Sequence, residues 1–207
     1  MIETLTARSG CKVLRYKGKL LSSAVDPVGE AEEWLKRRLT LLARVKTVFV
    51  LGAGSGYHIE EVCRQTSARV IVIEKDSALT SAVQEIHGFN AIQIRFEEIE
   101  GTRDLRASET IRQAVAESFL VLEHAASVAA HPEFYAEIKN QLLGRDWGSL
   151  TWQWQLKDLA PLDSQAKIHG AALNEPLTIY DLDKTELVQD SAEREKMLLK
   201  ALRELVK

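Results

Sequence analysis

A glycine-rich loop that follows an apolar segment is the feature that most constrains the fold of this chain. Residues 47–51 (Thr-Val-Phe-Val-Leu) are a continuous apolar run, and Gly52, Gly54 and Gly56 follow directly. Such a run is typical of a strand buried on both faces of a parallel sheet. The segment therefore predicts a strand, a tight turn and then a helix from Tyr57 to about Gln65.

Strands and helices alternate from this loop to about residue 144. A second buried strand covers residues 69–73 and ends at Glu74, where Asp76 can cap a helix that Gly88 ends. This alternation predicts an α/β fold with a Rossmann-like, doubly wound and mostly parallel sheet. The remaining predicted elements are strands at 91–96 and 118–122, helix in the second half of 97–117, and a helix from Pro132 to near Gly144.

The segments on either side of this alternation predict smaller additions to the sheet. Residues 11–22 predict a hairpin that turns at Lys17-Gly18, and Asp26-Pro27 is a good start for a helix. The apolar stripe of that helix is Val28, Ala31, Leu35, Leu39 and Leu42. The C-terminal segment predicts strands at 149–156 and 177–180, and a helix at 183–206.

We therefore expect two parts that differ in size. Residues 1–45 form a lead-in of one hairpin and one helix. Residues 46–207 form the Rossmann-like domain together with its C-terminal strand–helix extension, as one compact unit.

Charge and cysteine content exclude several classes of protein. The 27 Lys and Arg residues against 30 Asp and Glu residues give a net charge of −3, so a basic nucleic-acid surface is not expected. Two cysteines make a disulfide framework or a multi-cysteine zinc site improbable. Neither a signal peptide nor an apolar run of about 20 residues is visible, which predicts a cytoplasmic protein with no membrane contact.

The glycine spacing points to a ligand. G-x-G-x-G before a helix is the spacing of S-adenosylmethionine-binding methyltransferases, and Glu74 stands where an acidic side chain typically accepts hydrogen bonds from ribose hydroxyls. A tight turn that serves only packing is the alternative. Val50 departs from the methyltransferase pattern, which usually has an acidic residue there. Glu60 and Glu61 in the first turn of the next helix disfavour a multiply phosphorylated ligand.

Other polar and aromatic residues are expected near the same edge of the sheet. His58 follows the loop, and Glu123 and His124 follow the fourth strand, where such folds place their sites. His131 lies too far along the chain from His124 to give the usual spacing of a metal site, so no metal is expected. Trp152 and Trp154 would share one face of the predicted strand at 149–156, as core residues or as a stacking platform.

The segment from residue 16 to 76 resembles the N-terminal Rossmann-like region of the motility-associated factor (Maf) flagellin glycosyltransferases. The resemblance lies in Lys-Gly-Lys-Leu-Leu-Ser at 17–22, Asp-Pro at 26–27, the loop with its Gly-Tyr-His continuation at 56–58, and the strand that ends in Glu74. It covers about a third of the chain. It implies a Rossmann-like fold and ligand contacts at Gly52, Gly54, Gly56, Tyr57, His58 and Glu74.

The Maf family transfers a sialic-acid-like sugar from a CMP-activated donor to flagellin, with a transferase domain beyond the matched region. This chain is expected to lack that domain. The first hypothesis is thus a domain that binds an S-adenosylmethionine-like or nucleotide-sugar ligand and is accessory to glycosylation. A methyltransferase of unknown acceptor is the second hypothesis, which leaves open whether the protein is an enzyme. The third is a degenerate Rossmann module that acts through a protein partner or as a homodimer.

Overall fold

The structure is a computed structural model that describes residues 2–89 and 93–156. Contacts divide the chain into two units, Met1–Leu143 and Gly144–Lys207. The strands are β1 (Ile2–Thr6), β2 (Lys12–Tyr16), β3 (Lys19–Leu20), β4 (Thr47–Leu51), β5 (Arg69–Glu74), β6 (Ile94–Glu98) and β7 (Phe119–Glu123). The helices are α1 (Pro27–Lys36), α2 (Leu39–Leu42), α3 (Tyr57–Gln65), α4 (Ser77–His87), α5 (Thr102–Ala107), α6 (Glu109–Ala116), α7 (Ala125–Val128), α8 (Pro132–Leu143) and, in the second unit, α9 (Trp147–Leu156).

The core of the first unit is a four-stranded parallel sheet flanked by helices. Its strand order is β6-β5-β4-β7, and β4 lies between two neighbours in parallel register. All five residues of β4 are buried, as the continuous apolar run predicts. The predicted α/β class and Rossmann-like sheet are confirmed.

The strand order reverses between β4 and β7. From β4 the chain runs outward through β5 to β6, then crosses back to place β7 on the other side of β4. In open α/β sheets, ligands bind outside the carboxyl ends of the strands at such a reversal. This position is formed by the residues after Leu51 and Glu123, which are paired across the two strands.

Capping side chains define the helix ends where the sequence predicts them. Asp26 accepts a hydrogen bond from Gly29 N–H and has Pro27 after it, while Asp76 accepts one from Ala78 N–H. The predicted helix 57–65 is also confirmed. The stripe predicted from Val28 to Leu42 is divided, however, because α1 ends at Lys36 and a separate short α2 follows.

The N-terminal strands form a three-stranded antiparallel sheet. Lys17 and Gly18, both at positive φ (49° and 78°), join β2 to β3, which confirms the predicted hairpin. The sequence analysis missed β1, which pairs with β2 along all five of its residues. Its residues are half-buried or exposed, so the segment lacks the apolar run that identifies a buried strand.

The strand predicted at residues 149–156 is wrong, because this segment is helix α9. Asp146 and Ser149 cap each other: Ser149 N–H donates to Asp146 Oδ1 at 2.9 Å, and Asp146 N–H donates to Ser149 Oγ at 3.1 Å. This reciprocal cap starts a helix just before the Trp-Gln alternation. Positions two apart lie roughly 200° around a helix axis, so the shared face that a strand would give to positions 152 and 154 is not formed.

Two strand boundaries differ from the prediction, and two elements are outside the described residues. The third strand of the sheet is Ile94–Glu98 where residues 91–96 were predicted, and the fourth is Phe119–Glu123 where 118–122 were predicted. The predicted strand at 177–180 and helix at 183–206 lie outside the described residues. The predicted division into residues 1–45 and 46–207 stays a prediction.

Candidate functional site

The glycine loop between β4 and α3 is buried along its whole length and packs against side chains of the protein itself. A Cβ atom at Gly52 would lie 2.2 Å from Ser127 Cβ, and one at Gly54 would lie 2.7 Å from Cε1 of both His58 and His124. A Cβ at Gly56 would likewise meet the imidazole of residue 87 at 2.4 Å. The glycines therefore allow close contact with the loop, and in this structure the contacts are made by side chains of the protein itself.

The backbone donors of the loop are bound by side chains from distant parts of the chain. Ala53 N–H donates to Glu74 Oε2 at 2.8 Å, and Gly54 N–H donates to Ser127 Oγ at 3.1 Å. In the other direction, Ser55 Oγ accepts from the backbone N–H of residue 14 at 3.0 Å. These bonds tie the loop to the ends of β5, α7 and the N-terminal hairpin.

Glu74, predicted as the contact for ribose hydroxyls, is 1% exposed. Besides Ala53 N–H, its carboxylate accepts from the N–H groups of Lys75 and Asp76 at 2.8 and 3.1 Å and from the Tyr135 hydroxyl at 3.0 Å. Burial and the nearby Glu74 charge raise the pKa of Tyr135, which keeps its hydroxyl a donor. Glu74 thus joins the loop, the end of β5 and α8.

His58 and His124 form a stacked pair, with ring centroids 4.2 Å apart and planes at 14°. His58 Nε2 lies 3.2 Å from the Gly52 carbonyl, which only accepts, so Nε2 carries the hydrogen. His124 donates to the Leu21 carbonyl, and its Nδ1 accepts from Ser127 N–H. Burial, reinforced by the His124 ring, lowers the pKa of His58 well below 6.5, and burial lowers the pKa of His124 to about 4. Both rings are neutral at pH 7.

This pair predicts that stability falls as the pH is lowered from about 7 to 4. In that range an unfolded chain protonates its histidines near pH 6.5, while folded His124 stays neutral, so acid favours the unfolded state. The contribution of His124 alone is about 3 kcal/mol. Urea unfolding at several pH values measures it. His124→Asn keeps an acceptor near Ser127 and cannot be protonated. Between pH 7 and 4 this variant should therefore lose about 3 kcal/mol less stability than the wild-type protein. Parallel losses in the two proteins would contradict the prediction.

A pocket of about 360 Å³ opens beside the stacked pair. Its walls are the segment from β3 to α1, one face of α1, and the first residues of α3 and α7. Tyr57, His58 and His124 contribute from the sheet edge, and Trp34 and Glu30 contribute from α1. The Trp34 indole meets His58 edge-on at 5.4 Å between ring centroids. The pocket therefore lies at the reversal of strand order, on the side of α1.

The other polar residues predicted near this edge have different partners. The Glu123 carboxylate pairs with Lys139, and the Glu123 carbonyl accepts from Trp34 Nε1 at 3.3 Å. His131 Nε2 lies 3.1 Å from the Tyr16 hydroxyl and is not in the pocket wall. Within residues 2–89 and 93–156, no group of three or more His, Cys, Asp or Glu side chains is placed to hold a metal ion. No helix in this part of the chain has the length and hydrophobicity needed to cross a membrane.

The structure brings three of the eight predicted contact residues together in the pocket wall: Tyr57, His58 and His124. The other five are not among the residues that line the pocket, namely Gly52, Gly54, Gly56, Glu74 and Glu123. The sequence analysis missed Trp34, Ser127 and Tyr135, which complete the wall and the supports of the loop. Only Trp34 carried a signal, as a large aromatic residue on the predicted helix after Asp26.

Comparison with known proteins finds similar solved structures but no matching family or curated sequence. Among solved structures, a spermidine synthase in complex with the transition-state analogue AdoDATO matches 56% of this chain, with a TM-score of 0.44 and 17% identity. Spermidine synthase from Thermotoga maritima matches 53%, with a TM-score of 0.40 and 19% identity. The matches cover 40% and 45% of those two chains, so this chain spans less than half of their length.

Proposed function

We propose that this protein binds a nucleoside-like ligand of the adenosyl class in the pocket beside the glycine loop. The observation that carries the proposal is the position of the pocket, which opens where the strand order of the sheet reverses. Its volume of about 360 Å³ is within the usual range for small-molecule sites. Tyr57, His58 and His124 are proposed as direct contacts. Glu74, Glu123 and the three glycines are proposed to hold these contacts in place.

The charge of the pocket wall supports an adenosyl ligand over a phosphorylated one. Glu30 contributes a carboxylate, and no lysine or arginine is among the described residues that line the pocket. His58 and His124 add no positive charge at pH 7 because both are neutral. A phosphate would meet only unfavourable charge there, whereas a neutral nucleoside or a sulfonium cation would not.

A ligand panel tests this proposal. The panel contains S-adenosylhomocysteine, S-adenosylmethionine, adenosine, CMP, a CMP-sugar and NAD, with the melting temperature and calorimetric titration as readouts. At a hundredfold excess over Kd, a bound ligand stabilises the fold by about 2.7 kcal/mol. We expect the adenosyl compounds to raise the melting temperature and CMP to leave it unchanged. No response to any compound at millimolar concentration would overturn the proposal.

A pocket-filling variant with a matched control locates the site. Ala125 is exposed and lies in the pocket wall, so phenylalanine at this position takes space from the ligand. Ala129 is exposed one turn later and is not a lining residue. Ala125→Phe should weaken binding by about tenfold or more, while Ala129→Phe should leave it unchanged. Equal affinities in both variants would place the site elsewhere.

A Rossmann module that acts only through protein contacts is the second candidate. In this structure the backbone N–H groups of the glycine loop donate to Glu74 and Ser127 of the protein itself. In ligand-binding loops of this kind, such N–H groups normally bind the ligand, so their occupation favours this candidate. A protein that responds to no compound of the panel would support this candidate. A homodimer or a separate protein partner would then be detected by sedimentation or by crosslinking in the native host.

We also propose, from the resemblance to the Maf glycosyltransferases, that the domain serves surface glycosylation as an accessory protein. A response to a CMP-sugar but not to adenosyl compounds would support this role over the adenosyl proposal. Methyl transfer is the alternative within the adenosyl class. It requires an acceptor in addition to S-adenosylmethionine, and a methylated product on incubation with host extract would support it.

A further inference from the structure

One imidazole nitrogen of His58, Nε2, forms a hydrogen bond within the protein, and the other, Nδ1, is left to accept one from a ligand. Nε2 carries the hydrogen and donates to the Gly52 carbonyl at 3.2 Å, so Nδ1 is an unprotonated acceptor. The ring cannot turn over without losing this bond. His124 stacks on one face of the ring and Trp34 meets it edge-on, which fixes its plane.

The free acceptor belongs to a buried residue in the pocket wall. His58 is 3% exposed and lines the pocket. The hydrogen bond of the His58 side chain in the described residues is made by Nε2, and Nδ1 is not one of the fully buried side-chain atoms that lack a partner. Nδ1 can therefore be reached from the pocket that His58 lines. A ligand donor that enters the pocket and reaches this nitrogen would form a hydrogen bond with it in place of one to water.

Three of the donor side chains around the pocket already donate to carbonyl groups of the protein. The Tyr57 hydroxyl donates to the Lys12 carbonyl at 2.7 Å, and the Ser22 hydroxyl donates to the Leu21 carbonyl at 2.7 Å. Trp34 Nε1 donates to the carbonyl of the last residue of β7. The carboxylate of Glu30, by contrast, is an acceptor group. Apart from Ser23, whose hydroxyl oxygen accepts from the N–H groups of Val25 and Asp26, the side chains of the pocket therefore offer acceptors more readily than donors.

We propose that His58 Nδ1 determines specificity in the pocket by accepting a hydrogen bond from an N–H or O–H group of the ligand. This inference rests on the proposed function, because it assumes that the pocket binds a small molecule. It selects an amino or hydroxyl group at that position, such as the amino group of adenine or a ribose hydroxyl. It rejects a carboxylate or phosphate oxygen there, whose lone pairs would face the lone pair of Nδ1.

Two substitutions separate the two nitrogens. His58→Gln places an amide N–H near Nε2, which keeps the bond to Gly52 but removes the Nδ1 acceptor. His58→Asn places an oxygen near Nδ1, which keeps the acceptor but removes the bond to Gly52. We expect His58→Gln to melt near the wild-type temperature and to bind adenosine about tenfold or more weakly. His58→Asn should melt at a lower temperature and, when both variants are measured in the cold, bind adenosine more tightly than His58→Gln.

Ligand analogues give a second readout, which needs no variant. Purine riboside lacks the 6-amino group of adenosine, and 2′-deoxyadenosine and 3′-deoxyadenosine each lack one hydroxyl. One of the three should bind wild-type protein about tenfold more weakly than adenosine and lose nothing further in His58→Gln, because the missing donor and the missing acceptor are partners. Unchanged adenosine affinity in His58→Gln would overturn the inference and leave the proposed function intact. Failure of wild-type protein to bind any of the four nucleosides or any compound of the ligand panel would overturn both.

Discussion

Replacing Gly52 with alanine is expected to lower the free energy of unfolding by about 3–5 kcal/mol. Gly52 has φ of +91°, where a side chain is strained, and its Cβ would lie 2.2 Å from Ser127 Cβ. Ser127 cannot move away easily, since it is 2% exposed and its hydroxyl is bound to Gly54 N–H and to His124 Nδ1. Strain and overpacking therefore add at one position.

Gly10 provides the control for this substitution. Its φ is +86°, close to that of Gly52, and a Cβ there would meet nothing within 4 Å. Gly10→Ala should therefore show only the cost of the backbone conformation, about 1–2 kcal/mol. Urea unfolding of the two variants measures the difference. If both lose the same amount, the loop is less tightly packed against Ser127 than the structure indicates.

The central part of the fold could be predicted because its signals are local. The apolar run of β4 needs burial on two faces, and the glycines after it permit only a tight connection to a helix. Asp26 and Asp76 mark helix starts through bonds to residues two or three positions away. Such contacts depend on near neighbours in the sequence, so a pattern search finds them.

Such local signals could not predict whether the glycine loop contacts a ligand or other parts of the protein. Ser127 and Tyr135 reach the loop and its support from 73 and 61 residues away along the chain, and neither stands in a recognisable motif. The loop sequence is the same whether a ligand or the protein fills the space beside it. Only the arrangement in space distinguishes these two cases. The error at α9 has a related cause, because the alternation of Trp and Gln fits a strand while the cap at Asp146 starts a helix.

Replacing Glu74 with alanine is the second change with a large expected effect, a loss of about 3–5 kcal/mol in the free energy of unfolding. The substitution removes the acceptor of four hydrogen bonds at a site that is 1% exposed. The donors at Ala53 and Tyr135 have the least access to water and carry most of the cost. Tyr135→Phe removes one of the four bonds and leaves the carboxylate in place, so it should cost about 1–2 kcal/mol.

The comparison of stability with binding shows which role Glu74 has. If its carboxylate stabilises the fold, Glu74→Gln should lower the free energy of unfolding, because the glutamine NH2 group would face an N–H or O–H donor that now binds the carboxylate. The folded variant should then bind adenosine about as tightly as wild type. If the carboxylate serves ribose hydroxyls, Glu74→Gln should keep its stability and lose affinity by about tenfold. The bonds to Ala53, Lys75, Asp76 and Tyr135 favour the first outcome. Urea unfolding and calorimetric titration of the same sample distinguish them, since each role changes only one of the two measurements.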